Sequence, residues 1–209
     1  MSSHVVILLQ GSSAWNTWRE SHPSTRPNLH EADLVAAHLE GIHFEHADLC
    51  FAHLERADLT GAVLVHADLA GCFMGQARLV DAHLEGANAS HAHLQGADLA
   101  GAHLEGTDLW EADLENSNLT GAHLENADLG GALLANSILI DAHLERAELN
   151  VAVLAGSDLT GAHLEGANLV GAKGLVQQQI DAAFGDAETV LPENVQRPVQ
   201  WVNGAGTTH

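Results

Sequence analysis

The sequence predicts a solenoid in which five-residue units wind into stacked coils, and three observations lead to this fold class. Leucine occupies 26 of the 29 positions at every fifth residue from 29 to 169, and alanine occupies 22 of the 29 positions two residues earlier. The repeat runs through these residues without an insertion. Aromatic residues make up only 4% of the chain, so its core must be narrow and regular, because aromatic side chains normally supply the largest buried areas.

A period of five residues fits neither of the common secondary structures. On an α-helix, which advances about 100° per residue, successive leucines would be about 140° apart and would scatter around every side. A heptad coiled coil is excluded for the same reason. The remaining arrangement is a coil in which each pentad forms one side.

Runs such as Ala97-Asp98-Leu99 and Ala127-Asp128-Leu129 resemble the pentapeptide-repeat family. The resemblance implies an all-β solenoid, a right-handed quadrilateral β-helix with four pentads per coil. It also implies that the central leucine and the alanine two residues before it point inward. About seven coils, stacked at about 4.8 Å, would form a rod about 34 Å long. The sequence independently supports four pentads per coil, because a histidine recurs every 20 residues at His83, His103, His123, His143 and His163.

Stacked coils leave an open face at each end, so the solenoid needs caps. We predict a helical N-terminal cap over residues 1–28, the repeat over 29–171, and a helix with an extended tail over 172–209. The N-terminal helix is predicted over Val5–Glu20 and the C-terminal helix over Val176–Phe184, with Gly185 as its C-terminal stop. These flanks resemble those of many bacterial members of the family.

One core position breaks the leucine pattern. Ala89 lies between Leu69 and Leu109, its neighbours one coil away on either side. Cys50 and Cys72 fall at an outward and an inward position, so we expect no disulfide between them.

The outward positions are strongly acidic. Residues 29–171 contain 23 Asp and Glu against three Arg, a net charge of −20, or one negative charge per about 1.7 Å of axis, which is similar to double-stranded DNA. Some members of the family mimic B-form DNA and bind DNA gyrase or its relatives, protecting them from inhibitors. The resemblance therefore implies DNA gyrase or topoisomerase IV as a partner. The candidate partner-binding acidic stripe is Asp48, Asp68, Asp108, Asp128 and Glu148, and a second acidic column is Glu85, Glu105, Glu125, Glu145 and Glu165.

Other functions are argued against or left open by the same residues. The net charge of −21 argues against binding to nucleic acid or an anionic membrane. We expect no enzymatic activity and no cofactor, because a convex rod lacks a concave pocket. We also expect no metal, because parallel histidines on a flat face do not converge on one point. The acidity could instead serve solubility alone, in a general scaffold with an unrelated partner.

Two further expectations concern location and assembly. The apolar run Val5–Leu9 is too short for a signal-peptide core and no span is long enough to cross a membrane, so we expect a cytoplasmic protein. A homodimer through a terminal segment, especially the C-terminal helix, is the expected form of any oligomer.

Overall fold

The computed structural model describes residues 3–202 and consists of a ladder of parallel β-bridges flanked by four short helices. From Asn28↔Asp48 to Val153↔Lys173, every bridge joins a residue to the one 20 positions later. Twenty residues are four pentads, so each turn of the ladder takes four pentads, the number that the recurrence of the histidines predicts. Within residues 3–202 each bridge is isolated and no longer strand forms, because the chain turns a corner in every pentad.

The corners are made by a residue in the left-handed conformation, two positions after each central residue. All 29 such positions from 31 to 171 have positive φ, and 16 of them are not glycine. A side chain with a Cβ atom is strained in this conformation, so the repeat tolerates a local cost at more than half of its corners. Val151, a β-branched residue with φ 55°, is an extreme case.

The core is the column of central residues that the sequence predicts. All 29 central side chains are buried, and so are the small residues two positions earlier, except for the partly exposed Ala37. Where a hydroxyl replaces alanine, it donates to a backbone carbonyl: Thr107 to Leu84 at 2.7 Å and Ser117 to Leu114 at 2.7 Å. Ser137 and Ser157 do the same with Leu134 and Leu154 at 2.8 and 2.9 Å. These four polar residues therefore enter the core without an unsatisfied hydroxyl.

Two helices, not one, cover the N-terminal end. The predicted Val5–Glu20 helix is wrong, because Gly11 adopts φ 97° and divides it into α1 (Ser3–Leu8) and α2 (Ser12–Ser21). Trp15 of α2 is fully buried and donates its indole N–H to the His43 carbonyl at 2.7 Å. Asn16 bonds the Gly41 carbonyl and the His43 N–H, both at 2.9 Å. Side chains of α2 thus satisfy the backbone groups that the first coil would leave open.

The C-terminal helix is shorter than predicted. It runs only over α3 (Gln177–Asp181), and a further turn, α4 (Val199–Val202), follows later. Phe184 lies beyond the helix and bridges His163, and Val190 bridges Asn168, so the tail folds back and extends the ladder. Gly185 is not a helix stop; a Cβ there would lie 2.6 Å from the ring of Trp201, which packs over it.

The last coil is closed by polar contacts from this tail. Gln179 of α3 donates to the carbonyls of Leu154 and Ser157 at 3.0 and 2.8 Å. Asp186 accepts the Gly166 N–H at 3.0 Å, and the Thr189 hydroxyl donates to the Leu164 carbonyl at 2.8 Å. No helix within residues 3–202 is long and apolar enough to cross a membrane.

Candidate interaction surface

The residue before each central leucine projects outward, and the 20-residue register sorts these residues into four columns. The first column, from Asn28 to Asn168, contains the acidic stripe. The second, from Asp33 to Lys173, stacks His53, Phe73 and His93 in its earlier coils and is mixed in its later ones. The third, from His38 to Asp158, mixes acids with Arg78. The fourth, from His43 to His163, holds the histidines. The stripe column carries five carboxylates and no basic residue, so it is the most acidic of the four columns.

The acidic stripe forms an aligned column, as the sequence predicts. Consecutive bridges join Asp48 to Asp68 and continue through Asn88 to Asp108, Asp128, Glu148 and Asn168. Most of the aspartates are fixed by their own corner: Asp48, Asp108 and Asp128 each accept the backbone N–H two residues later, at 3.2, 3.0 and 2.9 Å. One carboxylate oxygen therefore holds the side chain in place while the other can meet a partner. A stripe fixed in this way loses little side-chain entropy on binding.

The N-terminal part of the stripe is partly neutralised within the molecule. Arg26 lies 3.2 Å from Asp68 Oδ2, and Asn88 donates to Asp68 Oδ1 at 3.1 Å. No such basic partner contacts Asp108 or Asp128 among residues 3–202. The strongest unpaired acidity therefore lies in the C-terminal half of the stripe.

Cys50 lies beside the first two aspartates of the stripe. Its burial, together with hydrogen bonding and repulsion by Asp68 and Asp48, raises the pKa of this thiol to about 12. Cys50 and Cys72 are both free, as predicted, and Cys72 is buried and donates to the Ala52 carbonyl at 3.1 Å. Neither cysteine offers a reactive thiolate at neutral pH.

Trp110 is a surface aromatic that the acidic pattern alone does not mark as part of this site. It follows Asp108 and Leu109 and lies over Gly130, where a Cβ would be 2.4 Å from its ring. The side chain is 37% exposed, beside Asp108 and Asp128. Tryptophan is enriched at the centres of interfaces. In the sequence, the only indication of the packing of Trp110 is the glycine 20 residues later, Gly130.

The second acidic column differs from the stripe in its partners and not in its exposure. Each of Glu85, Glu105, Glu125, Glu145 and Glu165 is about one-third exposed, as are Asp48 and Asp68, but faces the histidine two residues earlier, with Nδ1 to Oε1 distances of 3.1–3.5 Å. Their second oxygens, Oε2, are buried and have no hydrogen-bond partner. One oxygen of each carboxylate therefore lies against a histidine and is less open to a partner than the free oxygens of the stripe.

Stacked coils that bury one continuous core define a repeat solenoid whose outward columns are free to vary. The family model for pentapeptide repeats matches this chain in eight copies over residues 28–65, 62–101, 97–136 and 137–173. The chain belongs to the pentapeptide repeat family. No curated protein matches it significantly in sequence.

Several solved structures are similar to this chain. HetL, a pentapeptide repeat protein involved in heterocyst differentiation regulation from the cyanobacterium Nostoc sp. strain PCC 7120, is 25% identical over 92% of this chain and 98% of its own, with a TM-score of 0.45. A pentapeptide repeat protein of the Arabidopsis thaliana thylakoid lumen is 28% identical over 61% of this chain and 74% of its own, with a TM-score of 0.33. Trypsin-treated QnrB1, a plasmid-mediated fluoroquinolone resistance protein, is 16% identical over 84% of this chain and 92% of its own, with a TM-score of 0.46.

Proposed function

We propose that this protein is a non-enzymatic binding rod whose acidic stripe imitates the charge of B-form DNA and binds a type II topoisomerase, DNA gyrase or topoisomerase IV. The observation that carries the proposal is the alignment of Asp48, Asp68, Asp108, Asp128 and Glu148 in one bridged column. Binding would protect the enzyme from its inhibitors, and it would take place in the cytoplasm. A homodimer through a terminal segment remains compatible with this role.

The spacing and charge of the rod support the proposal. Coils stack at about 4.8 Å, and with about seven coils the net charge of −20 over residues 29–171 gives one charge per about 1.7 Å, the value for duplex DNA. A protein groove that binds DNA is lined with Lys and Arg for phosphates, and it would meet carboxylates at comparable density here. Trp110, exposed beside Asp108 and Asp128, would add an apolar anchor to this contact.

The test is a gyrase supercoiling assay, with and without a fluoroquinolone, to which the purified protein is added. Inhibition of supercoiling, or rescue of the enzyme from the drug, is the expected result at micromolar protein. The stripe variant Asp48→Asn, Asp68→Asn, Asp108→Asn, Asp128→Asn, Glu148→Gln removes five charges and keeps the side-chain oxygens that accept the corner N–H groups. We expect at least a tenfold loss of potency, about 1.4 kcal/mol or more of binding free energy.

The matched control removes five charges from the second acidic column: Glu85→Gln, Glu105→Gln, Glu125→Gln, Glu145→Gln and Glu165→Gln. It changes the net charge by the same amount and should retain most of the potency, because these side chains face histidines. Equal losses in the two variants would mean that overall charge, not the stripe, drives binding. No effect of the wild-type protein on supercoiling or on the drug would favour the second reading, a general scaffold with an unrelated partner.

A further inference from the structure

The histidine column is more regular than a solvated surface requires. His83, His103, His123, His143 and His163 stack ring on ring, with centroids 4.6–5.0 Å apart and planes within 5° of parallel. Each ring is about one-third to two-fifths exposed. The column therefore presents a row of imidazole edges on one side of the rod, all in the same orientation.

Each imidazole is paired with a carboxylate at a distance that suits a shared cation. The Nδ1 to Oε1 distances are 3.1–3.5 Å in all five pairs. A zinc ion about 2.1 Å from both atoms bridges such a separation at a near-tetrahedral angle. The parallel rings do not converge on one point, as expected from the sequence, but the nitrogen and oxygen within each pair do.

The glutamate carboxylates are the second feature of this column. The Oε2 atoms of Glu85, Glu105, Glu125, Glu145 and Glu165 are buried and accept no hydrogen bond. A buried acceptor without a partner is costly, and more so when it belongs to a carboxylate. Carboxylates that recur at about 4.8 Å also repel one another. A divalent ion held by some of these carboxylates would reduce that repulsion.

Neighbouring coils complete three separate groups of ligands. These groups, within each of which the ligand atoms lie within 4.8 Å of one another, are His83 with Glu85 and His103, His123 with Glu125 and His143, and Glu145 with His163 and Glu165. Two ligands of one tetrahedral zinc ion lie about 3.4 Å apart. The third ligand therefore has to approach by up to about 1.4 Å, which a part-exposed side chain can do by rotation. Water would occupy the open fourth position.

We propose that this histidine–glutamate column binds divalent transition-metal ions, with up to three zinc ions per chain. Imidazole and carboxylate together favour zinc and nickel over magnesium. The site is independent of the proposed topoisomerase contact, because the acidic stripe lies in a different column. Each bound ion would link two coils through side chains, in addition to the backbone bridges.

The test is a calorimetric titration of the full chain with Zn²⁺ at pH 7.5, with Mg²⁺ as the hard cation for comparison. We expect micromolar uptake of up to three Zn²⁺ and none of Mg²⁺ at the same concentrations. Binding should weaken at least tenfold at pH 5.5, because a ligating imidazole must be neutral. A wild-type chain that takes up no Zn²⁺ overturns the proposal.

Two variants with equal loss of histidine localise the binding. His83→Gln, His123→Gln, His163→Gln removes one ligand from each group. His38→Gln, His43→Gln, His53→Gln removes three histidines that also pair with a glutamate, at 3.3–3.7 Å, but have no histidine stacked in the next coil. The first variant should lose at least tenfold in Zn²⁺ affinity and the second should bind as the wild type.

A third variant separates a folding defect from loss of the site. Glu85→Gln, Glu125→Gln, Glu165→Gln keeps every histidine and the stacked rings, and it should also lose Zn²⁺ binding while its circular dichroism and melting temperature without metal match the wild type or exceed it. Equal uptake by the first and second variants, or full uptake by the third, contradicts the proposal.

Discussion

Filling the gap at Ala89 should stabilise the rod. Ala89 is 1% exposed and lies in the column of central side chains between Leu69 and Leu109. The backbone does not close in around the smaller residue: the hydrogen bonds from Ala89 to Asp108 and from Leu69 to Asn88 are 2.7 and 2.6 Å, as elsewhere in the ladder. The three carbon atoms that leucine would add are therefore missing from a core of regular spacing.

The size of the effect follows from truncation of buried leucines. A Leu→Ala change in a core costs about 2–5 kcal/mol, so Ala89→Leu should raise the free energy of unfolding by about 3 kcal/mol if the leucine adopts the rotamer of its neighbours. For a chain of this length each kcal/mol raises the melting temperature by about 2–4 °C, which gives a rise of about 6–12 °C. Thermal melts followed by circular dichroism measure it directly.

Leu109→Ala is the matched control, because it places the same truncation in the same column one coil away. It should lower the melting temperature by a similar amount, and the double variant Ala89→Leu, Leu109→Ala should melt near the wild type. A lower melting temperature for Ala89→Leu, together with the expected loss for Leu109→Ala, would show that neighbouring side chains already fill the space. The reasoning from regular spacing would then be refuted.

Two further predictions concern a strained corner and an acid-sensitive cap. Val151 has φ 55° and is 44% exposed. Val151→Gly should remove roughly 1–2 kcal/mol of backbone strain from the folded state. Part of this gain is offset by the greater conformational entropy of glycine in the unfolded chain, so the melting temperature should rise slightly. Gly106→Val, at φ 64° with open space around it, should lower the melting temperature; no change there would show that the corners are not strained. At Asp186, burial would raise the pKa, but hydrogen bonds from Gly166, Thr189 and Glu188 outweigh it and hold the pKa below its ordinary value. A lowered pKa means that this carboxylate stabilises the cap above the unfolded value of about 3.9 and that the contribution is lost as pH falls through the folded value. Asp186→Asn should therefore cost roughly 1 kcal/mol at pH 7 and less below pH 4 in urea titrations, whereas the exposed Glu193→Gln should cost nothing measurable at either pH. An Asp186→Asn cost that does not change with pH would contradict the assignment.

Much of the candidate interaction surface could be predicted from the sequence alone. A period of five leaves one residue in five for the core column, and the 20-residue recurrence of the histidines gives the register that sorts outward residues into columns. The alignment of Asp108 with Asp128 follows from that arithmetic alone. The packing of Trp110 on Gly130 could not be read in the same way, because it depends on the direction of one side chain across two coils.

The ends of the rod show where local sequence reasoning fails. Val5–Glu20 has a helical composition, yet Gly11 divides it, since the side chains of α2 must reach the open backbone groups around Gly41 and His43. The C-terminal helix stops at Asp181 because Phe184 is drawn into a bridge with His163. In both places contacts distant in sequence override the local helical preference.

The sequence by itself determined the solenoid, its inward residues and the acidic column, because each is a consequence of strict periodicity, and periodicity is a property of the chain. Only the tertiary structure decided how the outward groups pair. It showed that Arg26 pairs with Asp68. It also showed that each glutamate of the second acidic column pairs with a histidine, with Nδ1 to Oε1 distances of 3.1–3.5 Å. These pairings depend on side-chain rotamers and on the stacking of one coil over the next, which no repeat pattern specifies.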